Sequence, residues 1–218
     1  VIDMNFEIDK TNQILDLIKE AKSIAIVPFR TAGMDAFSAS VGLYYMLKNE
    51  GKDVSIIYQG TVPEEFADNK DINVQHGSGK RELVVSVDYS NTEASKVNYS
   101  TEDDVLHFSI SPVGRDFDLS RVQFELKGFN FDLIITIGAQ SREDISTDLE
   151  NIGGGFGESD LLNIDNTEGN DRFGSINVVD PTSKSLCLLT LNIGVKWGLD
   201  ITDNAAEALL KGISKKKF

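Results

Sequence analysis

The chain has 218 residues, with 21 lysines and arginines against 35 acidic residues, and therefore a formal net charge of −14 at pH 7. A field of that sign repels phosphate backbones at long range and excludes non-specific grip on DNA or RNA, while a small phosphorylated ligand stays open because a local pocket can oppose the global sign. Apolar residues at 40% and charged residues at 26% describe a globular chain with a core rather than a disordered one.

The opening residues VIDMNFEIDK are acidic and amphipathic, without the basic start and apolar centre of a signal peptide. No apolar run approaches ~20 residues, so no membrane span is expected and the cytoplasm is the expected compartment. A start at Val1 suits a piece cut from a longer chain. Ile14, Leu17, Ile18 and Ala21 fall at helical spacing, with Thr11 or Asn12 as the expected N-cap. SIAIVP (23–28) is short, apolar and β-branched, as a buried strand should be. Asp35 to Asn49 returns to helical period and Gly51 closes it. Val54 to Tyr58 reads as the next strand, which completes a βαβ unit and implies a parallel sheet.

The middle changes character. Leu83–Asp88, Lys96–Tyr99 and Val105–Ile110 alternate apolar and polar residues between turn-forming stretches. They predict an antiparallel β-meander inserted over about 82–112. FDLIITI (131–137) resumes the buried-strand pattern, a Gly-rich loop spans 153–157, and Leu161–Ile164 is another strand. Helices are expected over 183–197 and 203–210. The expected fold is α/β, a doubly wound and mostly parallel sheet of about five strands carrying the insertion.

Most motif-like fragments dissolve on inspection. GGGFG precedes a strand, whereas a dinucleotide fingerprint comes after one. GSGKR (77–81) lacks the spacing of a P-loop. His76 and His107 have no second ligand at metal-binding spacing. Cys187, the single cysteine, excludes an internal disulfide and lies on the apolar run LCLLTL as a small core residue. Two acids stand out, because ligands of open α/β sheets bind beyond the C-terminal ends of strands. Asp35 comes after the first strand across the loop FRTAGM, which also holds Arg30, and Asp165 ends the strand LLNI. They either converge on one crevice or cap and turn their own local segments.

The C-terminal third, LLNIDNTEGNDRFGSINVVDPTSKS and then GLDITDNAAEALLKGIS, resembles the third motif of the DHH phosphoesterase family and the stretch downstream of that motif. There a strand ends in Asp-His-His, and an Asn, a Phe-Gly, an Asn-containing strand, a Ser-rich helix start and a helix ending in Gly-Ile come after. IAIVPFRTAGMDAFSASVGLYYMLKNEGKDVSII is similar to the family's opening strand, its His-x-x-x-Asp-x-Asp loop and the next helix. The resemblance implies two Mn²⁺ or Mg²⁺ ions that activate water against a phosphodiester or phosphoanhydride. It also implies a C-terminal substrate-binding domain, which the 218 residues do not supply.

The framework is matched and the ligands are not. The first motif's His falls on Phe29 and its first Asp on Gly33; only Asp35 is kept. The second motif's Asp falls on Gly138. Asp165 is kept in the third, with Asn166 and Thr167 in place of both histidines, and the fourth offers Ser214 and lysines. Two carboxylates do not offset two hard cations about 3.5–4 Å apart. The resemblance therefore implies no resident cofactor, or at most one weakly held Mg²⁺ or Mn²⁺ on Asp35 and Asp165.

The expected function is a catalytically degenerate binding or scaffolding module, for a nucleotide-like ligand or a protein partner. Its crevice is expected to be built from Arg30, Asp35, Asp165, Asn166 and Thr167. The competing expectation is an active phosphoesterase on nucleotides or short oligonucleotides with a rebuilt metal site. The inserted meander is expected to carry a homo-oligomer or partner contact.

Overall fold

The computed structural model describes residues 4–76, 82–90, 94–112, 114, 116–127, 131–148 and 159–215. In chain order the elements are α1 (Met4–Glu20), β1 (Ser23–Pro28), α2 (Gly33–Asn49), β2 (Asp53–Ile57), α3 (Glu64–Ala67) and β3 (Val74–Gln75). Next come β4 (Glu82–Val87), β5 (Ala94–Glu102), β6 (Val105–Pro112) and β7 (Val122–Lys127). The chain ends with β8 (Leu133–Ile137), β9 (Asp160–Asp165), β10 (Ile176–Val179), α4 (Leu186–Lys196) and α5 (Asp203–Lys215). They form two compact units, one of residues 1–81 with 128–218 and one of residues 82–127.

The larger unit is built on a six-stranded sheet in the order β10-β9-β8-β1-β2-β3. Every pairing in it is parallel. The inner strands read as unbroken apolar runs because both faces are covered. Ile24, Ile26, Leu133, Ile135, Ile137, Leu162 and Ile164 join Phe37, Leu43, Leu47, Leu189, Ile193 and Leu209 in one core. Ala25, Val27, Ile57, Ile134 and Leu161 form a second cluster with Phe131, Ala139 and Ile145. Each fully buried aliphatic side chain contributes about 1.5–3 kcal/mol, so these strands hold the unit together. The sheet has six strands where about five were expected, the two-residue β3 being the short addition at its edge. α1 begins at Met4, so Thr11 and Asn12 lie inside the helix and not at its N-cap.

Close approach of α2, α4 and α5 rests on small residues. A Cβ at Gly42 would stand 2.5 Å from Cδ2 of Leu209, and one at Gly212 would collide with Sγ of Cys187. The Cys187 side chain is fully buried at that seam, the core role its apolar neighbours suggested.

The smaller unit corrects the expected connectivity. β4 pairs antiparallel with β7, and β5 pairs antiparallel with β6. A hairpin is thus nested inside an outer pair, rather than three strands running one after another, and the unit extends to 127 instead of 112. The hairpin closes on Asp103 and Asp104, both at positive φ (48° and 63°), the two-residue turn whose twist matches the strands and which Asp tolerates. VQFELK alternates with period two and supplies the outer partner. The Gly-rich loop at 153–157, the GSGKR fragment and Lys216–Lys217 lie outside the described residues.

Candidate functional site

Strand order reverses between β1 and β8, the place where open α/β sheets receive ligands. Segments leaving β1 and β9 meet the starts and ends of the C-terminal helices in the crevice beyond that reversal. A cavity of about 330 Å³ there is lined by Ala32, Met34, Asp35, Asn166, Leu186, Gly212 and Lys215. The structure therefore brings Asp35 and Asn166 to one pocket and adds Lys215. Arg30, Asp165 and Thr167 do not line it.

Asp35 lies in the first turn of α2 but works on another helix. Its Oδ2 accepts from the backbone N–H of Leu186 at 3.0 Å and its Oδ1 from that of Cys187 at 3.1 Å. Ser185, the N-cap of α4, accepts from Leu188 N–H at 3.0 Å. Two side chains thus satisfy three of the donors that the start of α4 leaves open, and the carboxylate meets the positive end of the helix dipole. Asp35 is a cap, although not of the helix it starts.

Asp165 is 1% exposed at the end of β9. Its Oδ2 accepts from Asn170 Nδ2 at 2.9 Å and its Oδ1 from the Thr167 hydroxyl at 3.3 Å. Asn166 Nδ2 donates to the Ser183 carbonyl at 2.9 Å. These contacts fold the 166–185 segment back over the end of β9.

The contacts around Asp165 extend into an asparagine network that sequence reasoning missed. Asn170 Nδ2 also donates to the Ala139 carbonyl at 2.8 Å, and its Oδ1 accepts from Asn163 Nδ2 at 2.9 Å. Asn163 Oδ1 accepts in turn from the Thr136 hydroxyl at 3.1 Å, with both residues fully buried. The available signal was an Asn in the middle of the apolar run LLNID, since a buried amide needs partners.

Arg30 is exposed on the 3₁₀ turn Arg30–Ala32 and faces Asp148 and Tyr58 electrostatically. Asp148 is 1% exposed, and among the described residues neither of its carboxylate oxygens has a hydrogen-bond partner. Burial pushes its carboxyl up; the Arg30 charge and the nearby Gln59 backbone, which falls short of hydrogen-bond geometry, oppose this. The side chain of Lys215 is ion-paired to Glu65 at 2.7 Å, a contact that raises the lysine and lowers the acid.

The residues do not fit a two-metal centre. Phe29 packs against the apolar cluster of Ala25, Val27 and Phe131. Gly138 sits at φ +85°, and a Cβ there would lie 2.8 Å from Cδ1 of Leu186 and 3.1 Å from Ala32, so the space a carboxylate needs is filled. Asp35 and Asp165 already accept from backbone amides and neutral side chains. Among the described residues no three His, Cys, Asp or Glu side chains gather as metal ligands. His76 Nδ1 lies 2.8 Å from the Tyr58 carbonyl, and His107 sits opposite Ser100 in the β5–β6 pair. No helix among the described residues is long and apolar enough to cross a membrane.

No family model matches the sequence, and no curated protein is significantly similar to it. Solved structures do match. The crystal structure of an exopolyphosphatase-related protein from Bacteroides fragilis superposes with a TM-score of 0.62 at 16% identity, over 94% of this chain. This chain spans 49% of that one. The likeness establishes the α/β fold.

Proposed function

We propose that this chain is a phosphoesterase-like domain that binds a small nucleotide-like ligand without hydrolysing it. One observation carries the reading: the Asp35 carboxylate, which the DHH resemblance makes a metal ligand, accepts from the first two amides of α4. A carboxylate so engaged gives up a two-amide helix cap, worth about 1–2 kcal/mol in all, before it can coordinate a cation. The filled space at Gly138 supports the same reading.

The pocket suits a binding role. Its volume is at the lower end of small-molecule sites. Met34, Leu186 and Ala32 offer an apolar wall, Asn166 an amide oxygen, and Lys215 a cation that a phosphate would share with Glu65.

Titration calorimetry with nucleoside monophosphates, beside a phosphodiester hydrolysis assay in Mn²⁺, tests the proposal. Saturable binding that Lys215→Glu weakens, with no turnover, is the expected result. Millimolar Mg²⁺ or Mn²⁺ should move Tm by no more than a degree or two, small for tight binding. Robust Mn²⁺-dependent turnover abolished by Asp165→Ala would sink the reading in favour of an active enzyme. Absence of both binding and turnover would leave the pocket without the ligand class proposed.

A further inference from the structure

The β5–β6 hairpin has two faces of opposite character. Val97 stands opposite Ile110, Tyr99 opposite Phe108 and Thr101 opposite Leu106, and strand alternation puts all six on one face. The reverse face carries Lys96, Asn98, Ser100, Glu102, His107 and Ser109, with Val105 as its one large apolar residue. On the apolar face Val97 is 64% exposed, Tyr99 77%, Leu106 52% and Phe108 59%. Those four leave on the order of 400–500 Å² of apolar side chain in contact with water, at the upper end of what a monomer's largest patch shows.

We propose that this face is a homodimer interface whose occupant is the same face of a second copy of the chain. Area supports that occupant. Two such stripes together supply on the order of 900 Å², the apolar share expected of a standard interface of about 1,200–1,600 Å² in total. Charge supports it as well. The stripe itself carries no charged residue, so repulsion between two chains of net charge −14 is confined to its rim. Asp103 and Asp104 form the turn at one end of the hairpin, with Glu102 beside them, so the acidic charge is gathered at that end. A two-fold axis through the Tyr99–Phe108 pair runs the two ribbons in opposite directions. It keeps the two acidic turns at opposite ends of the interface, whereas parallel apposition would bring them together. The arrangement also relieves the marginal stability of a two-stranded ribbon by covering its apolar face.

Analytical ultracentrifugation of the full chain at tens of micromolar tests the proposal. The expected mass is twice the 24.0 kDa of one chain. Phe108→Glu should sediment as a single chain with unchanged far-UV circular dichroism, while Ser109→Glu, on the reverse face, stays dimeric. Amide exchange gives a readout that needs no variant: protection over 97–110 should rise with concentration. A wild-type chain that is monomeric at tens of micromolar overturns the proposal and leaves the face to a foreign partner. A dimer that Phe108→Glu leaves intact, or exchange over 97–110 that ignores concentration, overturns it too.

Discussion

Strands of similar apolar content live in opposite environments in the two units. In the parallel sheet, Ile24, Ile26, Leu133 and Ile135 are sealed on both faces by the chain's own side chains. In residues 82–127, Leu83, Val85, Val97, Tyr99, Phe108 and Phe124 stand exposed on two antiparallel pairs. The βαβ grammar brings helices to the sheet as a condition of its connectivity, because parallel neighbours need long crossovers. Hairpins are joined by two-residue turns and bring no cover with them. A strand's amphipathicity says that a face wants covering; the connectivity decides whether this chain does the covering.

The sharpest way to break that contrast is truncation in the sheet. Ile135→Ala removes a fully buried side chain between β1 and β9 and should cost about 2–5 kcal/mol. At ~2–4 °C per kcal/mol that lowers Tm by roughly 4–20 °C in differential scanning calorimetry. A loss below ~1 kcal/mol would mean that the sheet is no better packed than the hairpins.

Asp35→Ala probes how the larger unit ties its helices together. It strands the amides of Leu186 and Cys187 and should lower stability by about 1–2 kcal/mol, measured by urea unfolding. The same loss should appear with and without Mn²⁺. A loss seen only in Mn²⁺ would return Asp35 to metal binding.

Asp148→Asn addresses the buried acid that finds no hydrogen-bond partner among the described residues. Its folded pKa is raised above the ordinary 3.8, so the folded state holds the proton more tightly than the unfolded one. The stabilisation from that proton is complete below the ordinary value and is lost as pH rises through the raised one. The variant should therefore gain about 1 kcal/mol at pH 7 and match the wild type near pH ~3.5. A gain that is equal at both pH values would show that the effect is not the carboxyl's ionisation.

Phe108→Ala is the smallest effect and the direct counterpart of Ile135→Ala. In dilute solution, where no second copy covers the hairpin, an exposed ring should cost no more than ~0.5 kcal/mol. A penalty of several kcal/mol under those conditions would mean that the ring is covered within a single chain.

Sequence by itself determined the parallel framework. SIAIVP, LIITI and LLNI are legible because a strand buried on both faces has no polar alternation, and the helical period of 35–49 lies between two such strands. The DHH-like order of motifs marked Asp35, Asp165, Asn166 and Thr167 as belonging to one end of the sheet. It could not say what their side chains hold. Asp35 finds its partners 151 and 152 residues away, and no local pattern encodes a contact of that separation. The same is true of Thr136, Asn163 and Asn170, whose network forms only once β8 and β9 pair. The nesting of β5–β6 inside β4–β7 was likewise decided by tertiary structure, since alternation gives each strand two faces but never names its neighbour. Periodicity is a property of the backbone at each residue; capping, filled space and pairing belong to whatever the fold brings alongside.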